Sequence, residues 1–185
     1  MQRFMLGTPQ TPTSDEPAAI TDTAPCVGCG LCCDGTLYER ARAERYEEER
    51  LVQCGLKVSN DSGQGYFGLP CHFFESGRCG IYDDRFTKCR TFRCKLLRGY
   101  QSGTISRSEA MEKVRHAMAL RSAVEAEEPS AVQVAERKSL RSELGKTRRR
   151  PALLLKLMAL DYYLDRHFRN KNPQVVQDAS APSRD

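Results

Sequence analysis

Cys26-Val27-Gly28-Cys29-Gly30-Leu31-Cys32-Cys33 places four cysteines in eight residues, at spacing C-x2-C-x2-C-C. Glycine accepts positive φ without a Cβ clash, so Gly28 and Gly30 let this stretch turn tightly as a loop and aim its amides at sulfur. Four more cysteines form a second block, Cys71, Cys79, Cys89 and Cys94, at C-x7-C-x9-C-x4-C. Thiolates select zinc, iron in clusters or copper(I). Eight ligands suffice for two four-coordinate zinc ions, two cubane iron–sulfur clusters, or one cluster with a structural zinc. An ordinary Gly-rich turn with buried thiols is the plainer reading, and the density of cysteine argues against it. Cys54, the ninth, falls outside both blocks and reads as a small buried bystander.

The rest of the composition agrees with a metal-braced domain. At 185 residues the chain suits one domain with appendages. Hydrophobic residues are 39%, charged residues 29% and Trp is absent, so the core is modest and a metal is a natural supplement. No apolar run follows the first basic residue, so no secretory signal is read and a cytoplasmic protein is expected. There, nine cysteines are not expected to form a disulfide framework, and the odd number leaves one thiol over. No run of eighteen apolar residues exists, so no membrane span is expected. Net charge is +5, a weak pointer to an anionic partner.

Taken in order, residues 1–25 carry four prolines, five threonines and three acids without periodicity, and read as a disordered lead-in. Residues 26–100 are the expected cysteine-cluster domain. Within it, Thr36-Leu37-Tyr38 reads as extended, a helix is expected from about Glu39 to Cys54, and residues 59–65 as a loop. Tyr66–Phe74 and Cys79–Tyr82 read as a β-hairpin across Glu75-Ser76-Gly77-Arg78, which brings Cys71 beside Cys79. Residues 101–169 are expected to be helical and packed on that domain or on a partner. Ser106-Arg107-Ser108-Glu109 fits a capping box ahead of Met111, Val114 and Met118. A weaker helix is expected over Ala131–Leu144 with Gly145 as its stop. Pro151 opens the strongest helix, whose stripe of Leu153, Leu157, Leu160, Leu164 and Phe168 is widened by Leu154, Met158 and Tyr162. Residues 170–185 read as a disordered tail. The fold class is α+β: a small cysteine-rich metal-binding domain with a short β-hairpin, then a helical C-terminal region.

Spacing narrows the metal only partly. A zinc ribbon needs two C-x2-C knuckles and the second block has none. C-x2-C-x2-C matches the first three ligands of a bacterial ferredoxin run, but Cys33 stands beside Cys32 where C-x3-C-P is expected. Neighbouring side chains point apart, so Cys32 and Cys33 serve different metals, or one is an outer or redox thiol. His72, beside Cys71, is a lesser candidate because adjacent strand residues face opposite sides. His116 and His167 lie on amphipathic helices and read as ordinary residues.

The two blocks resemble the YkgJ-type cysteine-cluster family. The likeness rests on C-x2-C-G-x-C-C, on Cys79-Gly80-Ile81-Tyr82-Asp83-Asp84-Arg85 and on Cys89-Arg90-Thr91-Phe92-Arg93-Cys94, over roughly residues 26–95. A related signature occurs in flagellin lysine methylases. The resemblance implies chelation of zinc or iron through Cys26, Cys29, Cys32, Cys33, Cys71, Cys79, Cys89 and Cys94. Phe86 stands where the family usually has proline, which is expected to loosen the turn before Cys89.

Arg85, Lys88, Arg90, Arg93, Lys95 and Arg98 surround the second block, and Lys146-Thr147-Arg148-Arg149-Arg150 forms another cluster. Charge balance against thiolates is the plain reading, since four thiolates on zinc carry about −2. Contact with nucleic acid is the sharper one. The arginines before Pro151 oppose the helix dipole, which favours an interaction role there. Two functions follow: an iron–sulfur or zinc protein with a redox role, or a structural zinc module that binds a protein or nucleic acid, the protein through the C-terminal helix. A thiol sensor that releases metal on oxidation is a third. No phosphate loop, dinucleotide fingerprint or Ser/His/Asp set marks a substrate site, so enzymatic activity stays open.

Overall fold

The computed structural model describes residues 24–147, 149–170 and the backbone of Val175–Val176. The expected lead-in over 1–25, apart from its last two residues, and most of the expected tail over 170–185 lie outside these.

The fold is α+β. Ala24–Val27 makes one helical turn, α1, and the cysteine loop follows it. Strand β1, Arg40–Arg42, runs antiparallel to β3, Gln64–Gly68, which pairs in turn with β2, Val58–Asp61. Val175–Val176 is β6, parallel to β1, which corrects the reading of these two residues as disordered. The small sheet therefore runs β2-β3-β1-β6. Two expectations change here. Residues 59–65 are strand and tight turn rather than loop, because Ser62 and Gly63 both take positive φ (52° and 82°), the turn that joins two twisted strands. The helix expected from Glu39 shrinks to a 3-10 turn at Arg45–Glu47 and α2, Glu48–Gln53. Alternation explains it: Ala41 and Ala43 are buried while Arg42 is exposed, a period of two that favours β1.

The expected hairpin is shorter than its β-formers suggest. Only β4, Phe74–Glu75, and β5, Arg78–Cys79, pair, across Ser76 and Gly77. Tyr66 and Phe67 join the larger sheet instead. Cys79 faces Phe74 across the pair, not Cys71. Two short helices, α3 (Thr87–Thr91) and α4 (Lys95–Gln101), carry the chain past Cys89 and Cys94.

Three longer helices follow: α5 (Arg107–Glu125), α6 (Val134–Thr147) and α7 (Pro151–His167). The capping box forms as expected, with the Glu109 amide donating to Ser106 Oγ at 3.1 Å and the Ser106 amide to Glu109 Oε2 at 2.9 Å. Helix α6 begins three residues later than expected and runs through Gly145 to Thr147. Leu153, Leu157, Leu160, Leu164 and Phe168 are all fully buried. Met158 and Tyr162, expected to widen that buried arc, are exposed instead. One core joins the helices to the cysteine region, running from Leu31, Leu37 and Tyr38 through Phe67 and Phe86 to the α7 leucines.

A buried ionic cluster ties the cysteine loop to the helices. Asp161 on α7 accepts from Arg137 Nε (2.9 Å), Arg169 Nη2 (3.0 Å) and Arg141 Nη1 (2.7 Å). Arg137, fully buried, also donates to the Thr36 carbonyl at 2.7 Å. Arg169 donates to the Leu37 carbonyl at 3.2 Å. Burial alone raises an aspartate, but here the guanidiniums of Arg137 and Arg169 outweigh it and hold Asp161 below the usual carboxylate range. Upstream, Arg121 on α5 donates to Asp34 at 3.0 Å, and the Val134 amide to the Gly35 carbonyl at 2.9 Å. Residues 34–37, directly after Cys33, are thus held by α5, by α6 and by Arg169, with Asp161 of α7 binding Arg137 and Arg169.

Candidate metal centre

The first block turns as its glycines allow. The Cys29 amide donates to the Cys26 carbonyl (3.2 Å), and the Cys33 and Asp34 amides to the Gly30 carbonyl (2.8 and 3.0 Å). Gly30 uses positive φ, at 65°, and its Cα lies so close to Phe74 that a Cβ there would stand 2.2 Å from the ring. Gly28 needs neither: its φ is ordinary and a Cβ would meet nothing within 4 Å. The second block reaches the first through the Cys71 amide, which donates to the Cys33 carbonyl at 2.8 Å. Cys94 caps the N-terminus of α4, its sulfur accepting from the Leu97 amide at 3.4 Å.

The eight block cysteines lie close together. Cys29 and Cys32 both feel the charge of Cys94 and Cys26. Cys33 feels Cys89, Cys26, Cys71 and Cys79, and Cys89 feels Cys71 and Cys79. Among the thiols, Cys94 acts most on Cys29 and Cys32 and Cys89 acts most on Cys33, while Cys26 acts on all three and Cys33 also on Cys32. Cys26 stands at the rim. Two adjoining cavities lie among these cysteines, and Cys26, Cys32 and Cys33 line both. The larger, about 100 Å³, is lined by Cys26, Cys32, Cys33, Cys71, Cys79 and Cys89, with Phe67, Phe74, Phe86 and Phe92 as walls. The smaller, about 40 Å³, is lined by Cys26, Cys29, Cys32, Cys33 and Cys94. Among the described residues no three such side chains are closed onto one point; what the fold supplies is proximity.

Burial dominates the electrostatics. It pushes the Cys29, Cys32 and Cys33 thiols well up, and neighbouring thiols add to the rise. Burial lifts Cys89 to about 12 and Cys94 to about 11, the latter opposed by the Leu97 amide. Cys71 rises for the same reason. At Cys26 burial raises the thiol while Arg85 and Arg93 pull it down. Of the basic residues around the second block, Arg85 and Arg93 act on Cys26 in this way. Arg85 also lies 3.8 Å over the Tyr82 ring. Lys88 departs from the expected basic surface: it is 1% exposed and 3.8 Å from Glu44.

The donor chemistry fits a thiophilic metal. Neither cavity has a carboxylate or histidine in its lining, and all-sulfur surroundings suit zinc or iron clusters. His72 is exposed, stacked on Phe73 at 4.0 Å and away from both cavities. His116 and His167 flank Tyr163, each 4.5 Å from its ring. Cys54 is half-buried at the end of α2 and lines neither cavity.

Residues 25–117 match the family model CxxCxxCC, described as "Putative zinc- or iron-chelating domain". The chain belongs to this family. No curated protein and no solved structure matches it. The CxxCxxCC match contains every cysteine of both blocks and extends past the expected boundary near residue 95 into α5. Phe86, at the family's proline position, does not loosen the turn: it is 2% exposed, 5.9 Å from the Phe67 ring, and directly precedes α3. Sequence reasoning missed the Asp161 cluster that holds the loop. Its one signal was an aspartate interrupting the apolar run 151–164. Among the described residues, no helix is long and apolar enough to cross a membrane.

Proposed function

We propose that this CxxCxxCC protein holds metal at two adjacent four-cysteine centres and that the metal is iron, in iron–sulfur clusters with a redox role. One centre takes Cys26, Cys29, Cys32 and Cys94; the other takes Cys33, Cys71, Cys79 and Cys89. The observation that carries this reading is the parting of Cys32 from Cys33. In two-cluster ferredoxins the run supplies three ligands to one cluster and its fourth cysteine to the other. In support, the thiol that acts most on Cys29 and Cys32 is the remote Cys94, and the one that acts most on Cys33 is Cys89 of the second block. A cavity of about 100 Å³ supports the same choice, since one zinc ion draws its sulfurs to about 2.3 Å and asks for no such room.

When bound, such clusters supply one-electron chemistry. The chain's own part is to hold and surround them. Phe67, Phe74, Phe86 and Phe92 keep water from the larger cavity. Arg85 and Arg93 offset negative charge at the exposed rim. The clamp on residues 34–37 fixes the loop's exit.

Anaerobic purification with iron, sulfide and zinc analysis tests the reading. Two cubane clusters give about eight iron and eight sulfide per chain, with visible absorbance bleached by dithionite. Colourless protein with two zinc ions would replace the redox role by a structural one and leave the ligand sets standing.

A further inference from the structure

The larger cavity reaches the surface on one side. Cys26, Val27 and Arg85 all line it; Cys26 is exposed and Val27 is 49% exposed. Cations surround this mouth. Arg85 and Arg93 both act on the Cys26 thiol. Arg93 Nη1 donates to the Arg90 carbonyl. The Arg93 carbonyl and the Arg98 guanidinium both meet the Asn170 side chain, at 3.3 and 2.6 Å. Arg90, Lys95 and Arg98 are exposed. Among the described residues none of these four arginines forms an ion pair. Asp83 and Asp84 precede Arg85, which instead donates to the Tyr82 carbonyl at 2.9 Å. From Arg85 to Ser108 the sequence holds no acid. Residues 1–23 bring Arg3 against Asp15, Glu16 and Asp22, too little negative charge to cancel the patch.

Resting on the redox role above, we propose that this rim is the docking surface of an acidic electron-transfer protein, which meets the metal centres where Cys26 and Val27 come to the surface. One electron is lost on one side and gained on the other, and no bond forms or breaks. A small apolar spot inside a ring of cations without counter-charge steers a partner more than it holds one. Electron-transfer encounters of this kind bury little surface, under about 1,200 Å². The arginines lie on separate turns of chain and do not converge on one point, which suits a broad acidic face rather than one small anion. Nucleic acid fits less well. A single strand needs a platform of stacking rings. Among the described residues the exposed tyrosine and phenylalanine rings are Tyr46 and Tyr162, on separate elements, which make no such platform.

The full chain, purified anaerobically with its metal, tests this against two proteins of opposite charge, an acidic blue-copper protein and basic cytochrome c. Titration calorimetry at low salt is expected to show micromolar binding of the acidic protein and none of the basic one. After reduction with dithionite and desalting, oxidation by the acidic protein is followed by stopped flow. It is expected to slow about tenfold between ionic strengths of about 0.01 and about 0.1 M, as the Debye length falls from ~30 to ~10 Å. Oxidation by cytochrome c should speed up with salt. Arg90→Glu should weaken acidic binding about threefold, and Arg90→Glu with Arg98→Glu about tenfold, whereas Arg90→Lys keeps the charge and should bind as the wild type does. A centre that dithionite bleaches, in a chain that binds no acidic protein or whose binding survives the double variant, would overturn the docking surface and leave the redox role standing. Tighter binding of a thymidine oligonucleotide than of the acidic protein would overturn it in favour of nucleic acid. Colourless zinc protein would remove the redox role and the electron partner together.

Discussion

Cys32 and Cys33 are joined by a peptide bond and differ in the thiol that acts most on each: Cys94 on Cys32 and Cys89 on Cys33, with Cys26 acting on both. Consecutive side chains diverge, so a C-C pair is a way to feed two centres from one turn. Cys32→Ser and Cys33→Ser are therefore expected to lose different halves of the bound metal. Cys29→Ser should share the metal loss and spectrum of Cys32→Ser, and Cys71→Ser those of Cys33→Ser. Cys54→Ala should change neither. Metal analysis with electron paramagnetic resonance of each variant decides it; one common loss for all four ligands would mean a single centre.

The pH dependence follows from burial. An ordinary thiol titrates near 9.0, while in the fold Cys94 is lifted to about 11 and Cys89 to about 12. A raised thiol favours the protonated fold. Its contribution to the metal-free protein is complete below pH 9 and is lost as pH climbs through 11 to 12. Metal-free protein should thus melt progressively lower above pH 9. Metal ligation requires thiolates, so loading eight cysteines from the metal-free protein should release up to about eight protons. Titration calorimetry in buffers of different ionisation enthalpy measures that number, and a release near zero would contradict thiolate ligation.

How much of this was legible can be judged residue by residue. The leucine stripe of α7 was visible because helical periodicity survives in local sequence. The capping box was visible for the same reason, being complete within four residues. The neighbours of the cysteines were only partly legible: that Cys94 acts on Cys32 and Cys89 on Cys33 depends on how α3 and α4 return to the loop. Strand β1 was hidden because Arg40–Arg42 gains its character from pairing with β3, a long-range contact. The partners of Arg137 were hidden likewise, since Asp161 and Thr36 lie 24 and 101 residues away.

Asp161 is the hub of that clamp, and its replacement tests whether the helices position the cysteine loop. Asp161→Asn leaves Arg137 and Arg169 buried without their counter-charge, a loss of about 3–5 kcal/mol. Urea melts should show it, together with faster metal loss to a chelator as residues 34–37 loosen. The sign with pH is opposite to that of the thiols. Asp161 is depressed in the fold, so its stabilisation is present above its ordinary value of 3.8 and is lost as pH falls below it. The variant should therefore lie closest to wild type in strong acid.

Gly28 and Gly30 look alike in the motif, and the structure separates them. At Gly30 the φ of 65° and the ring of Phe74 both refuse a side chain. Gly30→Ala must leave the left-handed region at about 1 kcal/mol or more, and must push Phe74, with overpacking worth about 1–3 kcal/mol. Phe74 walls the larger cavity, so the strain reaches the second centre as well as the first. Gly28→Ala meets no neighbour and needs no change of φ, so its cost should be within about 0.5 kcal/mol. Melting temperature and metal content of the two variants, measured side by side, check the contrast. Equal tolerance at both positions would mean that the loop does not turn at Gly30.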